Sequence, residues 1–369
     1  NLTVEQQLPQ AISGAVVICV STPVDADQTP DLANLRAATT AVAEVATEGT
    51  LVIVRSTVPV GTCRDVVLPI LESQKKGLHL ASCPERTIQG RAIAELRNLP
   101  QVVGGVDEVS ASLAIKLWEQ VTGQVVTVES LEAAELVKLV NNCHTDLIYS
   151  FGNEVAMMAQ QYRLDPMEVI RTANVDYPRP DLARPGFVAG PCLTKDPYLL
   201  IDSMEKKGYI PHLVKHARLI NESLSNDVAQ HFMDCLKRAT GELTGAKVLV
   251  CGLAYKGWPI TDDVRGTPTI PIIEALLDCS IDVSIHDFMV APEKMSSYGA
   301  KLVDDLRDGF HAADGVLFVN EHPEYRGLDI AQLAGEMQSP GVVYDCWRMF
   351  DHKVVESVPG ISYGSIGFG

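Results

Sequence analysis

Short apolar runs separated by longer amphipathic stretches set the strongest limit on how this chain can fold. Ala15-Val-Val-Ile-Cys-Val20, Leu51-Val-Ile-Val54 and Leu78-His-Leu-Ala81 read as strands, and runs without polar alternation are typical of strands covered on both faces. Between them, Asp31 to Glu48 and a stretch from Gly61 to about Lys75 read as helices, and Val102-Val103 and Val125 to Val128 as further short strands. This alternation predicts βαβ units and a parallel sheet. Residues 1–128 therefore read as a doubly wound sheet, lacking at its amino end the strand and glycine-rich turn with which such a sheet opens.

The pattern then changes. From Leu131 to Tyr162 apolar residues at Val137, Val140, Leu147, Phe151, Val155 and Met158 recur three, four or seven apart, which predicts one long helix. At 1.5 Å per residue it would span about 45 Å, more than one domain face needs and enough for a dimer seam. Asp165-Pro-Met-Glu168 opens a second helix with a capping acid, proline at the first position and glutamate at the third. A third runs from near Pro211 to a stop at Gly241. At Ala246 a second α/β unit starts, with strands at Ala246–Cys251, Asp282–His286, Gly315–Val319 and Val342–Asp345 and a helix from Thr267 to Leu277. The fold class is α/β: two doubly wound domains, 1–128 and 241–369, joined by a helical region, 129–240. A chain of 369 residues suits that division better than a single core.

Composition narrows the function. With 46% hydrophobic and 21% charged residues the chain is globular, and a net charge of -17 argues against nucleic acid or an anionic membrane as partner. A small anionic ligand remains compatible, because a few local cations suffice to hold it. Nine cysteines without a CxxC pair form neither a disulfide framework nor a zinc ribbon, which points to a reducing, cytoplasmic setting. The histidines form no spaced cluster, so no metal is expected.

Four groups of residues suggest chemistry. Ser21-Thr22-Pro23, Ser56-Thr57-Val58 and Pro84-Glu85-Arg86 follow three successive strands, where open α/β sheets present ligand-binding loops. Each alone is ordinary turn chemistry; three in succession point to a site. Lys138 and Asn142 lie four apart on the long helix among apolar neighbours, so the lysine would be partly buried and in need of a partner. Gly186-Phe-Val-Ala-Gly190-Pro-Cys192-Leu-Thr-Lys195-Asp196 delivers a cysteine that one helical turn would place beside an ammonium favouring thiolate and a carboxylate able to move a proton. The other eight cysteines read as structural. Gly252-Leu-Ala-Tyr255-Lys256 and Asp262-Asp-Val-Arg265 offer two cations after a strand and a glycine, suited to a pyrophosphate. Asp287 fits either a ribose contact or a capping acid.

In order along the chain, CVSTP, RSTVPVG, CPER, ELVKLVNN, NEVA, GPCLTKDPY, GLAYKGWPITDDVRG and YDCWR resemble the UDP-glucose/GDP-mannose dehydrogenase family, the nucleotide-sugar 6-dehydrogenases. The resemblance implies two Rossmann-like domains, 1–128 for NAD and 241–369 for the UDP-sugar, flanking a central dimer-forming and catalytic region, 129–240. It implies a four-electron oxidation of a sugar C6 alcohol to a carboxylate, with NAD as cofactor, for surface polysaccharide synthesis. Cys192 matches the nucleophile that forms the thiohemiacetal and thioester. Lys138, Asn142 and Asp196 match residues that bind substrate and organise water, Thr57 a hydroxyl holding that water, and Glu85 an acid/base residue. Val20, Ser21, Thr22, Pro23, Ser56, Thr57 and Arg265 match cofactor contacts. Glu85, Arg86, Lys138, Asn142, Gly186, Gly190, Tyr255, Lys256 and Arg348 match substrate contacts, and Arg179, or by spacing Arg184, an arginine reaching the substrate of the partner subunit.

Gln89 stands where UDP-glucose enzymes carry a second acid, and with Gly90 it resembles the N-acetylhexosamine branch. UDP-N-acetylmannosamine or UDP-N-acetylglucosamine is therefore expected before UDP-glucose. A two-electron 3-hydroxyacid dehydrogenase also joins a Rossmann domain to a helix-borne lysine, but needs neither Cys192 nor a second α/β domain. A chain that binds a nucleotide sugar without turning it over is the non-enzymatic alternative.

Overall fold

The computed structural model describes residues 3–178 and 181–369. In chain order the first half contains β1 (Ala15–Ile18), α1 (Ala33–Val45), β2 (Leu51–Val54), α2 (Leu68–Glu72), β3 (His79–Ser82), α3 (Ala92–Asn98), β4 (Gln101–Gly105), α4 (Glu108–Trp118) and β5 (Val125–Val128). The helices α5 (Leu131–Gln161), α6 (Pro166–Asn174), α7 (Gly190–Leu193), α8 (Asp196–Glu205) and α9 (His212–Thr240) follow. The last part holds β6 (Lys247–Cys251), α10 (Thr269–Asp278), β7 (Asp282–His286), β8 (Lys301–Leu302), β9 (Gly315–Phe318), β10 (Gly341–Asp345) and β11 (Ile361–Gly364), with short helices between them. Two compact units result, one from residues 1–144 and 195–214, the other from 145–194 and 215–369. No helix among the described residues is long and apolar enough to cross a membrane.

In the first unit the sheet order is β1-β2-β3-β4-β5. Along β2, Leu51 and Ile53 pack with Ala114 and Trp118 of α4, while Val52 and Val54 pack with Leu35 and Val42 of α1 and Leu131 of α5. Helices on both faces explain why this strand has no polar alternation. One strand departs from the parallel expectation: β4 runs antiparallel to β3, with Ala81 opposite Gly105. A parallel return needs a crossover packed along the sheet, and α3, the helix between them, packs on that core only through the half-buried Leu96. β1 stops at Ile18 rather than Val20, because the Val20 amide and carbonyl both bond the Ser56 hydroxyl. The helix expected from Gly61 begins as a π-helical turn, Cys63–Val67, in which the Leu68 amide donates to the Cys63 carbonyl. Pro69 has no N–H to continue an α-helical ladder, and the wider turn absorbs that loss.

The second unit holds a six-stranded sheet, β11-β10-β9-β6-β7-β8, with every described pair parallel. Its order reverses between β6 and β9, so this sheet is doubly wound and opens a crevice at the carboxyl ends of those two strands. Gly252 follows β6 there with φ +101, and a side chain at that position would collide with Asn320 after β9. α6 starts as the sequence predicts: the Asp165 carboxylate caps it by accepting from the Met167 amide.

Glu135 on α5 ties that helix to the loop after β2. It is 2% exposed, and its carboxylate accepts from the amides of Gly61 (2.6 Å) and Cys63 (2.8 Å). Burial pushes its pKa up to about 7, against those two amides, which favour the charge. Between the ordinary 4.5 and 7 the folded state binds more protons than the unfolded one, so this group's stabilisation is full below the range and is lost as pH rises through it. Relative to Glu135→Gln, the wild-type protein should lose on the order of 3 kcal/mol from pH 4.5 to pH 7. Melting curves of the two proteins across that range check this; a constant difference contradicts it.

Candidate active site

In the first unit the three strand-end loops lie together. Besides the Ser56–Val20 contacts, the Thr22 hydroxyl donates to the Thr57 carbonyl at 2.5 Å, and Thr22 is 3% exposed. The third loop is joined by Arg55, whose Nε donates to Glu85 at 2.9 Å and whose Nη1 reaches the Cys83 carbonyl and the Gln101 side chain. Its guanidinium also lies over the Trp118 ring, 4.5 Å from the centroid. Glu85 accepts from the amides of Arg86 and Thr87 as well, both at 2.7 Å. Burial opposes its charge, but the Thr87 amide and the Arg55 guanidinium outweigh that, and its pKa lies below the ordinary carboxylate value. Glu85 is therefore held in its ionised form. Ser21 and Pro23 are exposed at the edge of the first loop, Ser21 accepting from Asn34, while Arg86 donates to the Pro100 carbonyl.

These loops meet the long helix within the same unit. Beside the two amides held by Glu135, the Val60 amide donates to Ser203 of α8. α8 begins with Asp196, which is 0% exposed; Asn142 of α5 donates to one of its oxygens at 2.5 Å and Lys195 to the other at 2.7 Å. One turn earlier on α5, Lys138 is 9% exposed and makes no hydrogen bond or ion pair among the described residues. A buried ammonium in that condition suits an incoming anionic or oxyanionic group. Strand-end hydroxyls and exposed loop backbone after β1 and β2 fit a nucleotide cofactor.

The second unit carries Cys192. It is exposed on α7, the single turn that follows Gly190, and lies within electrostatic range of Tyr255 and Arg265. Gly190 has φ +90, its amide donates to the Gly266 carbonyl, and a side chain there would strike the Tyr255 ring. Burial, then Asp263 and Cys192, push the Tyr255 phenol up to about 12, so it stays protonated. Lys256 Nζ lies 5.2 Å from the Tyr255 ring centroid, and Arg265 pairs with both oxygens of Asp263. Arg348 pairs with Asp165 at 2.8 Å and lies over Phe368. Gly186 leaves no room for a side chain against Trp347.

Two expectations need correction. Cys192, Lys195 and Asp196 do not share one helical turn, because α7 ends at Leu193, α8 begins at Asp196, and the division between the units falls after Thr194. A cation that interacts with Cys192 inside its own unit is Arg265. Nor are all the remaining cysteines buried: Cys19 and Cys279 are exposed, whereas Cys63, Cys83, Cys143, Cys235, Cys251 and Cys346 are buried. Burial holds the thiols of Cys63, Cys251 and Cys346 well above the ordinary value, as an inert structural thiol requires.

Asp287 resolves to a cap, one oxygen accepting from Leu253 and Ala254 and the other from Met289 and Val290. Arg184 pairs with Glu321 at 2.6 Å, and Arg179 lies outside the described residues. Sequence reasoning passed over Arg55, although a lone cation directly after an apolar strand is a visible signal. It also passed over Glu135, which reads as one more acid on a helix.

Three segments match models of the UDP-glucose/GDP-mannose dehydrogenase family: residues 1–122 its NAD binding domain, 132–223 its central domain and 249–352 its UDP binding domain. A UDP-N-acetyl-D-mannosamine dehydrogenase of Pyrococcus horikoshii is 34% identical over 88% of this chain and 75% of its own length. A structure of the UDP-D-ManNAc dehydrogenase from Pyrococcus horikoshii superposes with a TM-score of 0.86 at 31% identity, covering 97% of this chain and 82% of that one. A UDP-N-acetyl-D-glucosamine 6-dehydrogenase of Pseudomonas aeruginosa is 26% identical over 91% of this chain and 80% of its own length. With these matches along the whole chain, and a cysteine, a buried lysine and a buried aspartate on the segments they cover, the protein belongs to the UDP-glucose/GDP-mannose dehydrogenase family, as an NAD-dependent UDP-sugar dehydrogenase.

Proposed function

We propose that the chain oxidises the C6 alcohol of UDP-N-acetylmannosamine to the carboxylate, with Cys192 as the nucleophile. The observation that carries the reading is Cys192 itself: an exposed thiol on a turn set by Gly190, within electrostatic range of Arg265. NAD, when bound by the loops at Val20–Pro23 and Ser56-Thr57, accepts a hydride in each of two oxidations. The chain's own groups do the rest. Glu85, ionised, takes the proton of the C6 hydroxyl in the first oxidation, which leaves the aldehyde. The Cys192 sulfur adds to the C6 carbonyl carbon of the intermediate aldehyde, and Lys138 stabilises the oxyanion that forms. After the second oxidation the thiohemiacetal has become a thioester. Water held by Asn142 and Thr57 gives a proton to Asp196 as it attacks the thioester carbon, the C–S bond breaks, and the sulfur leaves as thiolate beside the carboxylate product. Tyr255, Lys256 and Arg348 of the second unit hold the nucleotide sugar. Gln89 and Gly90 in place of a second acid favour an N-acetylated sugar, and the relatives with that activity support the choice.

The helix α5 supports a homodimer. Phe151 and Met158 on it are 48% and 50% exposed, with Val140 at 49%, a row of apolar side chains at helical spacing.

Three outcomes are expected. In a panel of UDP-sugars followed by NADH release, UDP-N-acetylmannosamine should give two NADH per sugar and a carboxylate product; one NADH per sugar, or full activity of Cys192→Ser, overturns the mechanism. Lys138→Ala should lower kcat by roughly 100- to 1,000-fold in the same assay, the scale for removing an oxyanion-stabilising group. Phe151→Glu should shift the protein towards monomer in sedimentation equilibrium, and an unchanged mass removes α5 as the seam.

A further inference from the structure

The segment that delivers Cys192 is held at both ends by one buried chain of polar side chains. At its start, a single amide captures both backbone groups of Gly186: Asn153 Oδ1 accepts from the Gly186 amide at 2.8 Å, and Nδ2 donates to its carbonyl at 3.0 Å. Asn153 Nδ2 also donates to Asn221 Oδ1 at 2.9 Å, and Asn221 Nδ2 donates to the backbone carbonyl (2.8 Å) and the carboxylate (2.7 Å) of Asp146. Arg218 closes the chain: its Nη1 donates to Asp146 at 2.8 Å and to the Leu193 carbonyl, next to Cys192, at 2.9 Å. Asp146 and Asn153 come from α5, seven apart and hence on one face, and Arg218 and Asn221 from α9. None of the four is more than 5% exposed.

We propose that Asn153, Asn221, Asp146 and Arg218 are positioning residues for Cys192, fixing the backbone on either side of the thiol so that it is presented in one place. Three observations support this. The network ends on backbone groups of this segment rather than on a core element, at the residue after Cys192 and six residues before it. Between those anchors the chain is pinned at Gly190, where the Gly266 carbonyl takes its amide and the Tyr255 ring excludes any side chain. The network is also poorly suited to be a stabilising device alone. Asp146 Oδ2 and Arg218 Nε are buried without a hydrogen bond among the described residues, although Glu222 lies 3.3 Å from Arg218 Nε as an ion pair. Buried ionic groups of this kind are near neutral for stability against apolar replacements of similar shape, so what they contribute here is geometry. The requirement on Asn153 is specific: aspartate cannot donate to the Gly186 carbonyl and leucine can do neither job.

The proposal rests on Cys192 as the nucleophile, and its test separates the two. Asn153→Ala and Arg218→Lys are compared with wild type by steady-state kinetics and by hydrogen–deuterium exchange resolved to peptides covering 186–194. Arg218→Lys is the milder change, since it keeps a cation beside Asp146 while losing the guanidinium fork, and it decides the question if Asn153→Ala does not fold. Exchange in 186–194 should rise roughly tenfold or more without a matching rise elsewhere in α5 and α9. At the same time kcat should fall by about 10- to 100-fold with the KM for NAD unchanged, the cost of a nucleophile displaced by about an ångström. A folded variant with unchanged exchange in that segment, or with wild-type kcat, overturns the positioning role. If Cys192→Ser in parallel is fully active, the nucleophile assignment fails instead, and the exchange result still reports whether the network holds the segment.

Discussion

Backbone amides and carbonyls that leave a sheet must still find partners when they are buried, and that requirement organises both units. The loop after β2 cannot pair with a neighbouring strand, so Glu135 accepts from Gly61 and Cys63, and Ser203 accepts from Val60. The segment before Cys192 is equally without a strand partner, and Asn153 satisfies Gly186. Each polar side chain costs desolvation to bury, and each repays it by giving an irregular segment one conformation. Helix α5 supplies both, which ties its length to chemistry as well as to packing.

Much of this was legible in the sequence. The runs at Leu51–Val54 and Asp282–His286 became strands with the expected bounds, the first because it is buried on both faces and the second because its polar and apolar residues alternate. The cap at Asp165 was equally plain, since its side chain acts on residues two positions away. Direction and long-range polar pairing were not legible. The antiparallel course of β4 goes with a short α3 that packs on the sheet only through Leu96, which emerges only when the sheet is assembled. Glu135 and Asn153 look like ordinary helix polars, because their partners lie 74 and 33 residues away. The placement of Cys192 with Lys195 and Asp196 on one turn rested on spacing alone, and a break in the helix undoes such spacing.

The acidity of the chain, with a net charge of -17, is not at odds with an anionic nucleotide sugar. The acids near the candidate residues are already engaged: Asp196 with Lys195 and Asn142, Asp263 with Arg265, Asp165 with Arg348. Lys138 is the exception, a buried cation with no acid of its own among the described residues. Local potential follows which charges are neutralised close by, and a bulk excess of acid screened by salt has little reach beyond about 10 Å.

Asp287 carries a consequence for ligand choice. In a doubly wound sheet that reads a dinucleotide, an acid after the second strand keeps its oxygens available for the hydroxyls of a ribose. Asp287 stands at that position after β7, but four backbone amides occupy its carboxylate, fastening the turn after Gly252 to the turn after Phe288. A carboxylate has about four acceptor positions, so nothing remains for a sugar. At that position the second sheet thus carries a clasp between two turns, and a nucleotide held there must be recognised by other groups.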